Sequence, residues 1–404
     1  MIRVAYLCEP HVGGMYSFFL KMRPELRTWD IDLRCICPFP GRLYRGSHYE
    51  NEEGVDYLDL DAGPAEATSQ ILSHIERAGY SVVVILPGCY EIASNLPRYL
   101  PQGVRCVARL PHNARGVYLP TQWIAPYLDR IVAVSDRLER ELVKNYGIDG
   151  SKVEVIYNGI ATVDGAAPAA RQAGSPCHLL FVGRIEDLQK NVFLLPAMLR
   201  KLADRGVACH LTVAGDGPDR QPLLRRAERL GVTECLHVIG ERSHEEMQEI
   251  WRTSHLLLLP SRFEGSPNAV LEAMARGCVP VLSLLPGITD VIVDHGVSGL
   301  LCKVGSATSF ADAVTRLAGD DDLRRCMGAA AIERVEERFA LARMVQSYAD
   351  LFRAVQSSPP RDEPPLPLHS FEMPRVLGPT WRRFVPRSVK TRVRTMMERM
   401  GRSV

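Results

Sequence analysis

A chain of 404 residues is long enough for two domains with full cores, and 24% charged against 46% hydrophobic residues is an ordinary water-soluble balance. The net charge of +2 hides an asymmetry: residues 371–404 carry eight Arg and one Lys against two Glu, about +7, which leaves about −5 for the rest. The body therefore has no general electrostatic attraction for nucleic acid, whereas the tail suits an acidic surface.

Eleven cysteines form no Cys-x-x-Cys or Cys/His cluster, and Cys8, Cys106, Cys177, Cys209 and Cys302 sit in apolar runs. Reduced, buried thiols are expected. The opening MIRVAYLCEP lacks the apolar core of a signal peptide, and no apolar run reaches the length needed to span a bilayer. The expectation is a cytoplasmic protein.

In chain order, a strand is predicted from Arg3 to Cys8, followed by the turn-like PHVGGMYSFF. Further apolar, β-rich runs lie at 32–37, 81–88, 104–110, 130–135 and 153–159, with a helical pattern, DRLERELVKNYG, between the last two. ATVDGAAPAARQAGSP, 161–176, is small, Pro/Gly-rich and non-periodic, as an inter-domain linker would be. Strands then recur at 178–185, 209–217, 236–241, 255–261 and 279–283, alternating with amphipathic helices. One helix opens on a capping box of Ser243 and Glu246. Short apolar strands alternating with helices imply a parallel sheet covered on both faces. Two such series predict a doubly wound α/β protein of two Rossmann-like domains, with ligands at the carboxyl ends of the strands.

The expected division is 1–165, 166–340, a helix over 341–356 returning to the first domain, and a Pro-rich linker with a basic tail over 357–404. The linker SSPPRDEPPLPLHSFEMP reads as extended or disordered. The tail spaces Val389, Val393, Met396, Met397 and Met400 as an amphipathic surface helix would.

The chemistry should sit where strands end. Gly13 and Gly14 follow the first strand and let backbone approach a ligand, although a plain tight turn explains them equally. GRIEDLQKN, 183–191, carries Arg184 and Lys190, a fork and a point charge suited to a diphosphate; the bland alternative is two solvated cations. AGDGP, 214–218, is a second glycine-rich strand exit. In EGSPNAVLEAMARGC, 264–278, Ser266 suits an N-cap, Pro267 the first helical position and Gly277 the stop. Glu264 then precedes a short helix and Glu272 lies within it, flanking a helix start that attracts anions. The bland competitor is an ion pair of Glu272 with Arg276 four residues on. His112 follows a strand and reads either as a structural residue or as a polar contact in the cleft. Asp59 and Asp61 match a short metal-binding signature, but VDYLDLD is equally an alternating edge strand. No other carboxylate or His cluster offers a metal-binding set, so no metal is expected.

Taken in order and spacing, GRIEDLQKN, AGDGP, LPSRFEGSPNAVLEAMARGCVPVLS and GITDVIVDHGVSGLL resemble the retaining glycosyltransferases of family 4, whose two-Rossmann-domain architecture is called GT-B. The resemblance runs from the first strand to about Gln356. It implies two domains facing a central cleft, with a nucleotide-diphosphate sugar, UDP- or GDP-linked, bound mainly by the C-terminal domain. A glycan, lipid-linked or small-molecule acceptor is implied for the N-terminal one. By the same resemblance Arg184 and Lys190 neutralise the diphosphate, Glu264 contacts the sugar hydroxyls, and Glu272 contacts the ribose. Gly13 and Gly14 approach the donor from the opposite domain, and His112 stands near the transferred sugar. Donor contacts are also implied for Gly215, Gly217, Ser266, Asn268, Ala269 and Val270. Neither a metal nor a cofactor is implied, and retention is attributed to front-face attack assisted by the leaving phosphate. Cell-envelope polysaccharide or glycoconjugate synthesis at the inner face of the membrane is the implied setting, with the basic tail a candidate contact for anionic lipid.

Two departures stand out. Ser266 and Pro267 replace the Phe-Gly that commonly follows Glu-Gly, and Ala161 stands where Asp commonly follows Asn-Gly. A nucleotide-sugar epimerase or a glycan phosphorylase on the same fold, and a non-catalytic nucleotide-sugar-binding protein, are the rival readings.

Overall fold

A computed structural model describes residues 1–10, 14–37, 52–58, 60, 63–172, 174–374 and 376. The chain divides into one unit of Met1–Tyr157 with Met344–Val404, and a second of Asn158–Arg343.

The first unit is built on β1 (Ile2–Leu7), β2 (Ile31–Cys37), β3 (Val55–Tyr57), β4 (Val82–Ile85), β5 (Arg105–Leu110), β6 (Arg130–Ala133) and β7 (Val153–Val155). These form one parallel sheet in the order β3-β2-β1-β4-β5-β6-β7. The sheet is wound outward in both directions from β1 and β4, and β4 is buried along its whole length. That explains its unbroken Val-Val-Val-Ile, since a strand covered on both faces has no polar side to alternate with. Part of VDYLDLD is the edge strand β3; Asp59 and Asp61 themselves lie outside the described residues.

The helix Leu341–Ser357 contributes Tyr348 and Phe352 to this unit's interior. Arg109, deep in β5 and 2% exposed, donates from Nε to the Tyr348 hydroxyl at 3.1 Å. Its guanidinium lies 4.3 Å from the centre of the Phe18 ring, where a cation is favourable. The Pro-rich segment that follows is held as a strap from Ser358 to Phe371. Arg361 donates to Asp129 at 2.9 Å and to the Leu100 carbonyl at 3.1 Å, beside a second pair of Arg105 with Asp129 at 3.4 Å. Leu366 N–H donates to the Arg98 carbonyl at 2.7 Å, and Phe371 stacks on Tyr99 with ring centres 5.3 Å apart. The basic tail beyond residue 376 lies outside the described residues.

The second unit holds β8 (Cys177–Val182), β9 (Cys209–Ala214), β10 (Leu236–Gly240), β11 (Leu256–Leu259), β12 (Val279–Ser283) and β13 (Leu300–Cys302). Its parallel order, β10-β9-β8-β11-β12-β13, again reverses direction at its two inner strands, here β8 and β11. In a doubly wound sheet the crevice beyond that reversal is where ligands bind. The linker-like run is not free of this unit: the buried Arg324 donates to the Ala169 carbonyl at 2.8 Å, and Arg171 donates to the Ala318 carbonyl at 2.7 Å.

All eleven cysteines are free thiols, eight of them buried. Among the described residues no helix is long and apolar enough to cross a membrane.

Candidate functional site in the second unit

Three loops leave the carboxyl ends of β8, β9 and β11 and are tied together largely through main-chain atoms. Gly183 N–H donates to the Ala214 carbonyl at 3.0 Å, and Ile185 N–H to the Asp216 carbonyl at 2.8 Å. These bonds draw the first loop against the second so closely that side chains are excluded. A Cβ on Gly215, at φ +138°, would lie 2.2 Å from the Gly183 oxygen, and one on Gly217 would lie 2.4 Å from the Ile185 oxygen. Both glycines are thus required by loop packing, whatever else they touch.

The third loop is clamped to the first by Arg262, a residue the sequence reading passed over. Its N–H donates to the Gln189 carbonyl at 2.8 Å, and its guanidinium donates to the Asp187 carbonyl, to Asp187 Oδ2 at 3.2 Å and to Asn191 Oδ1. Asn191 sits at φ +52°, a conformation Asn tolerates better than most residues, and returns a bond from Nδ2 to the Pro260 carbonyl at 3.2 Å. Asp187 accepts from Phe193 N–H at 2.9 Å, while its own N–H donates to Asp219 at 2.7 Å. Three of these bonds end on main-chain carbonyl oxygens, which a sequence does not display. The available signal was an Arg wedged between an apolar strand and Glu264.

Held by this frame, Lys190 Nζ stands 2.7 Å from Glu264 Oε1. Glu264 is 5% exposed, and Gln189 Nε2 approaches its other oxygen at 3.4 Å. Arg184 differs: its side chain is 63% exposed, and Nε lies 3.7 Å from Glu186, a loose surface pair. The structure therefore joins two of the expected contacts directly and leaves Arg184 extended into solvent on the same loop.

The helix after Glu264 runs Asn268–Met274. Pro267 occupies the capping position at φ −77°, ψ 95°, with no side-chain cap, so Ser266 is not the cap and Pro267 is not the first helical residue. The extended ψ at Pro267 delays the helix to Asn268, whose side-chain oxygen accepts from Asn158 at 2.8 Å. Val270 N–H donates to the Pro267 carbonyl at 3.0 Å, which commits that amide within the turn. Ala269 and Glu272 are half-buried on this helix. The Arg276 guanidinium bonds Gln248 at 2.8 Å and the Glu272 main-chain carbonyl at 3.0 Å.

The remaining expected residues belong to the first unit. Gly14 opens the helix Gly14–Arg27 and is exposed; Gly13 lies outside the described residues. His112 is exposed in the loop after β5, beside the buried Asn113 that accepts from the Tyr118 hydroxyl at 2.8 Å. The loops after β1 and β4 meet where Glu9 N–H donates to the Tyr90 hydroxyl at 3.2 Å. Among the described residues no group of three or more His, Cys, Asp or Glu side chains is placed to hold a metal.

Fold and topology define a two-unit protein of doubly wound parallel sheets, the GT-B architecture. The chain belongs to the glycosyl transferases group 1 family: that family's model matches residues 170–334, and a glycosyltransferase family 4 model matches residues 109–163. A D-inositol 3-phosphate glycosyltransferase of Nocardia farcinica is 31% identical over 371 residues, covering 79% of this chain and 80% of that protein. A glycogen synthase of Mycobacterium tuberculosis is 25% identical over 261 residues, 65% of this chain; the match spans only 63% of the synthase. The crystal structure of Anabaena Alr3699/HepE in complex with UDP matches with a TM-score of 0.72 at 14% identity, over 88% of this chain and all of that one. At that identity the likeness speaks for the fold alone.

Proposed function

We propose that this chain transfers a sugar from a nucleoside-diphosphate sugar, UDP- or GDP-linked, to a glycan, lipid-linked or small-molecule acceptor, with retention of anomeric configuration. The observation that carries this reading is the meeting of Lys190 and Glu264 at the β8/β11 reversal, on loops that also carry Arg184. Cations there suit a diphosphate, and a buried carboxylate suits sugar hydroxyls. The activities named for the relatives point the same way.

In such a transfer the bond from the anomeric carbon to the diphosphate oxygen breaks, and its electron pair leaves with the diphosphate. The acceptor oxygen bonds the anomeric carbon on the same face and gives its proton to the departing phosphate. Arg184 and Lys190 stabilise the charge that grows on the leaving group, work that a metal performs in other transferases. His112 and Gly14, with Gly13, serve the sugar from the first unit. Asn268 and Ala269 offer main-chain amides, and Glu272 serves the ribose. Attack by a carboxylate nucleophile is not part of the reading.

Purified protein assayed with a panel of nucleotide sugars should release nucleoside diphosphate, with activity unchanged by EDTA and lost in Glu264→Ala and Arg184→Ala. Full activity in both variants would sink the assignment. The donor can be found beforehand by thermal stabilisation, because a ligand bound only by the folded state raises the melting point. We place the reaction at the cytoplasmic membrane face, with the basic segment 371–404 touching anionic lipid. Sedimentation with anionic liposomes should fall when that segment is removed.

A further inference from the structure

Lys190 cannot give its full charge to a diphosphate while Glu264 holds it at 2.7 Å. The pair is secluded: Glu264 is 5% exposed, and the Lys190 side chain 16%. In so dry a place a carboxylate and a phosphate compete for the ammonium far more strongly than they would in water. The loops bearing the two residues are fixed by the Arg262 clamp, so the competition is settled by side-chain rotation rather than loop movement.

We infer that Glu264 is an exchangeable counter-ion for Lys190, and that the exchange weakens the hold on the nucleoside diphosphate once the sugar has gone. This rests on the donor reading proposed above. With the intact donor bound, sugar hydroxyls occupy the Glu264 carboxylate and Lys190 turns to the phosphates. With the sugar transferred, the carboxylate is left with Lys190 and the more distant Gln189 Nε2, at 3.4 Å, and competes for the ammonium. Product is then held less tightly than donor, at a residue that also touches the sugar. The exchange makes and breaks no covalent bond.

The test is calorimetric titration of the full-length protein with UDP, GDP and inorganic pyrophosphate, none of which carries a sugar, at fixed ionic strength. Glu264→Gln should bind whichever diphosphate the wild type binds on the order of tenfold more tightly, and pyrophosphate should show the same gain. The gain should vanish in Lys190→Gln/Glu264→Gln. Glu264→Ala, checked by its melting curve, repeats the measurement should the glutamine variant fold poorly. Equal or weaker diphosphate binding by a folded Glu264 variant overturns the counter-ion role while leaving the donor reading in place. No binding of UDP or GDP by the wild type overturns both.

Discussion

Lys190 and Glu264, 74 positions apart in the chain, meet at 2.7 Å on two loops of one sheet. A pair this secluded adds little to stability as a pair, because desolvation of both charges offsets their attraction; removing one partner is what costs. Lys190→Ala and Glu264→Ala should each lower the stability of the second unit by about 3 kcal/mol in urea denaturation. The double variant should lose about as much as either single one, since neither charge is then left buried alone. Strictly additive losses would show that the two side chains do not depend on each other.

Arg262 offers a different test, because it touches the loops and neither of the two paired groups. Arg262→Gln should lower kcat for sugar transfer by about tenfold or more, as small displacements of positioned groups commonly do. Arg262→Lys should recover little, for one ammonium cannot reach the Asp187 carbonyl, the Asp187 carboxylate and Asn191 together. A merely stabilising role would lower the melting point in both variants and leave kcat per folded molecule unchanged.

Much of the second unit was legible because its strands are short apolar runs between punctuating glycines, and β8, β9, β11 and β12 fall where those runs predict them. β13 escaped, since Leu300–Cys302 is too short to stand out from the loop before it. Strand ends located the site, but not its internal pairing. Spacing along a chain says nothing of a contact between residues 190 and 264, and the Arg262 bonds end mainly on carbonyls. The resemblance implied donor contacts for Gly215 and Gly217, but nothing in the sequence showed that the neighbouring loop lies 2.2 and 2.4 Å from where their Cβ atoms would be. The Pro-rich run after residue 357 had the composition of a linker; Arg105, Asp129 and the Arg98 carbonyl, more than 200 positions earlier in the chain, pin it.

That strap carries its own prediction. Arg361 and Arg105 neutralise Asp129, which is buried and also accepts from Cys106 N–H at 2.7 Å. Arg361→Ala leaves the carboxylate with the longer of its two ion pairs and frees the strap, so the first unit should lose about 3 kcal/mol. Limited proteolysis should then cut between Ser358 and Phe371 in the variant and spare the wild type. Equal resistance of the two proteins would mean that the strap is held without Arg361.

Acid should destabilise the second unit through His255. Burial first, then the nearby Arg324 and weaker contributions from His178 and Arg171, lower the His255 pKa to about 4, against an upward pull from the Ala170 carbonyl. The neutral ring is the form the fold holds: Nδ1 accepts from His178 N–H at 2.8 Å, and Nε2 faces the Ala170 carbonyl at 3.4 Å. Unfolded, the imidazole titrates near its ordinary 6.5. Between about 6.5 and 4 the unfolded chain therefore binds a proton that the folded one refuses, and stability falls with pH by up to about 1.4 kcal/mol per unit. Above 6.5 both states are neutral and the contribution is flat; below 4 both are charged and it changes no further. Urea midpoints at pH 7.5, 6.5, 5.5 and 4.5 should decline across this window in the wild type. His255→Asn, which removes the titrating group, should be less stable at pH 7.5 but show a shallower decline. Parallel slopes in the two proteins would assign the acid sensitivity to other groups.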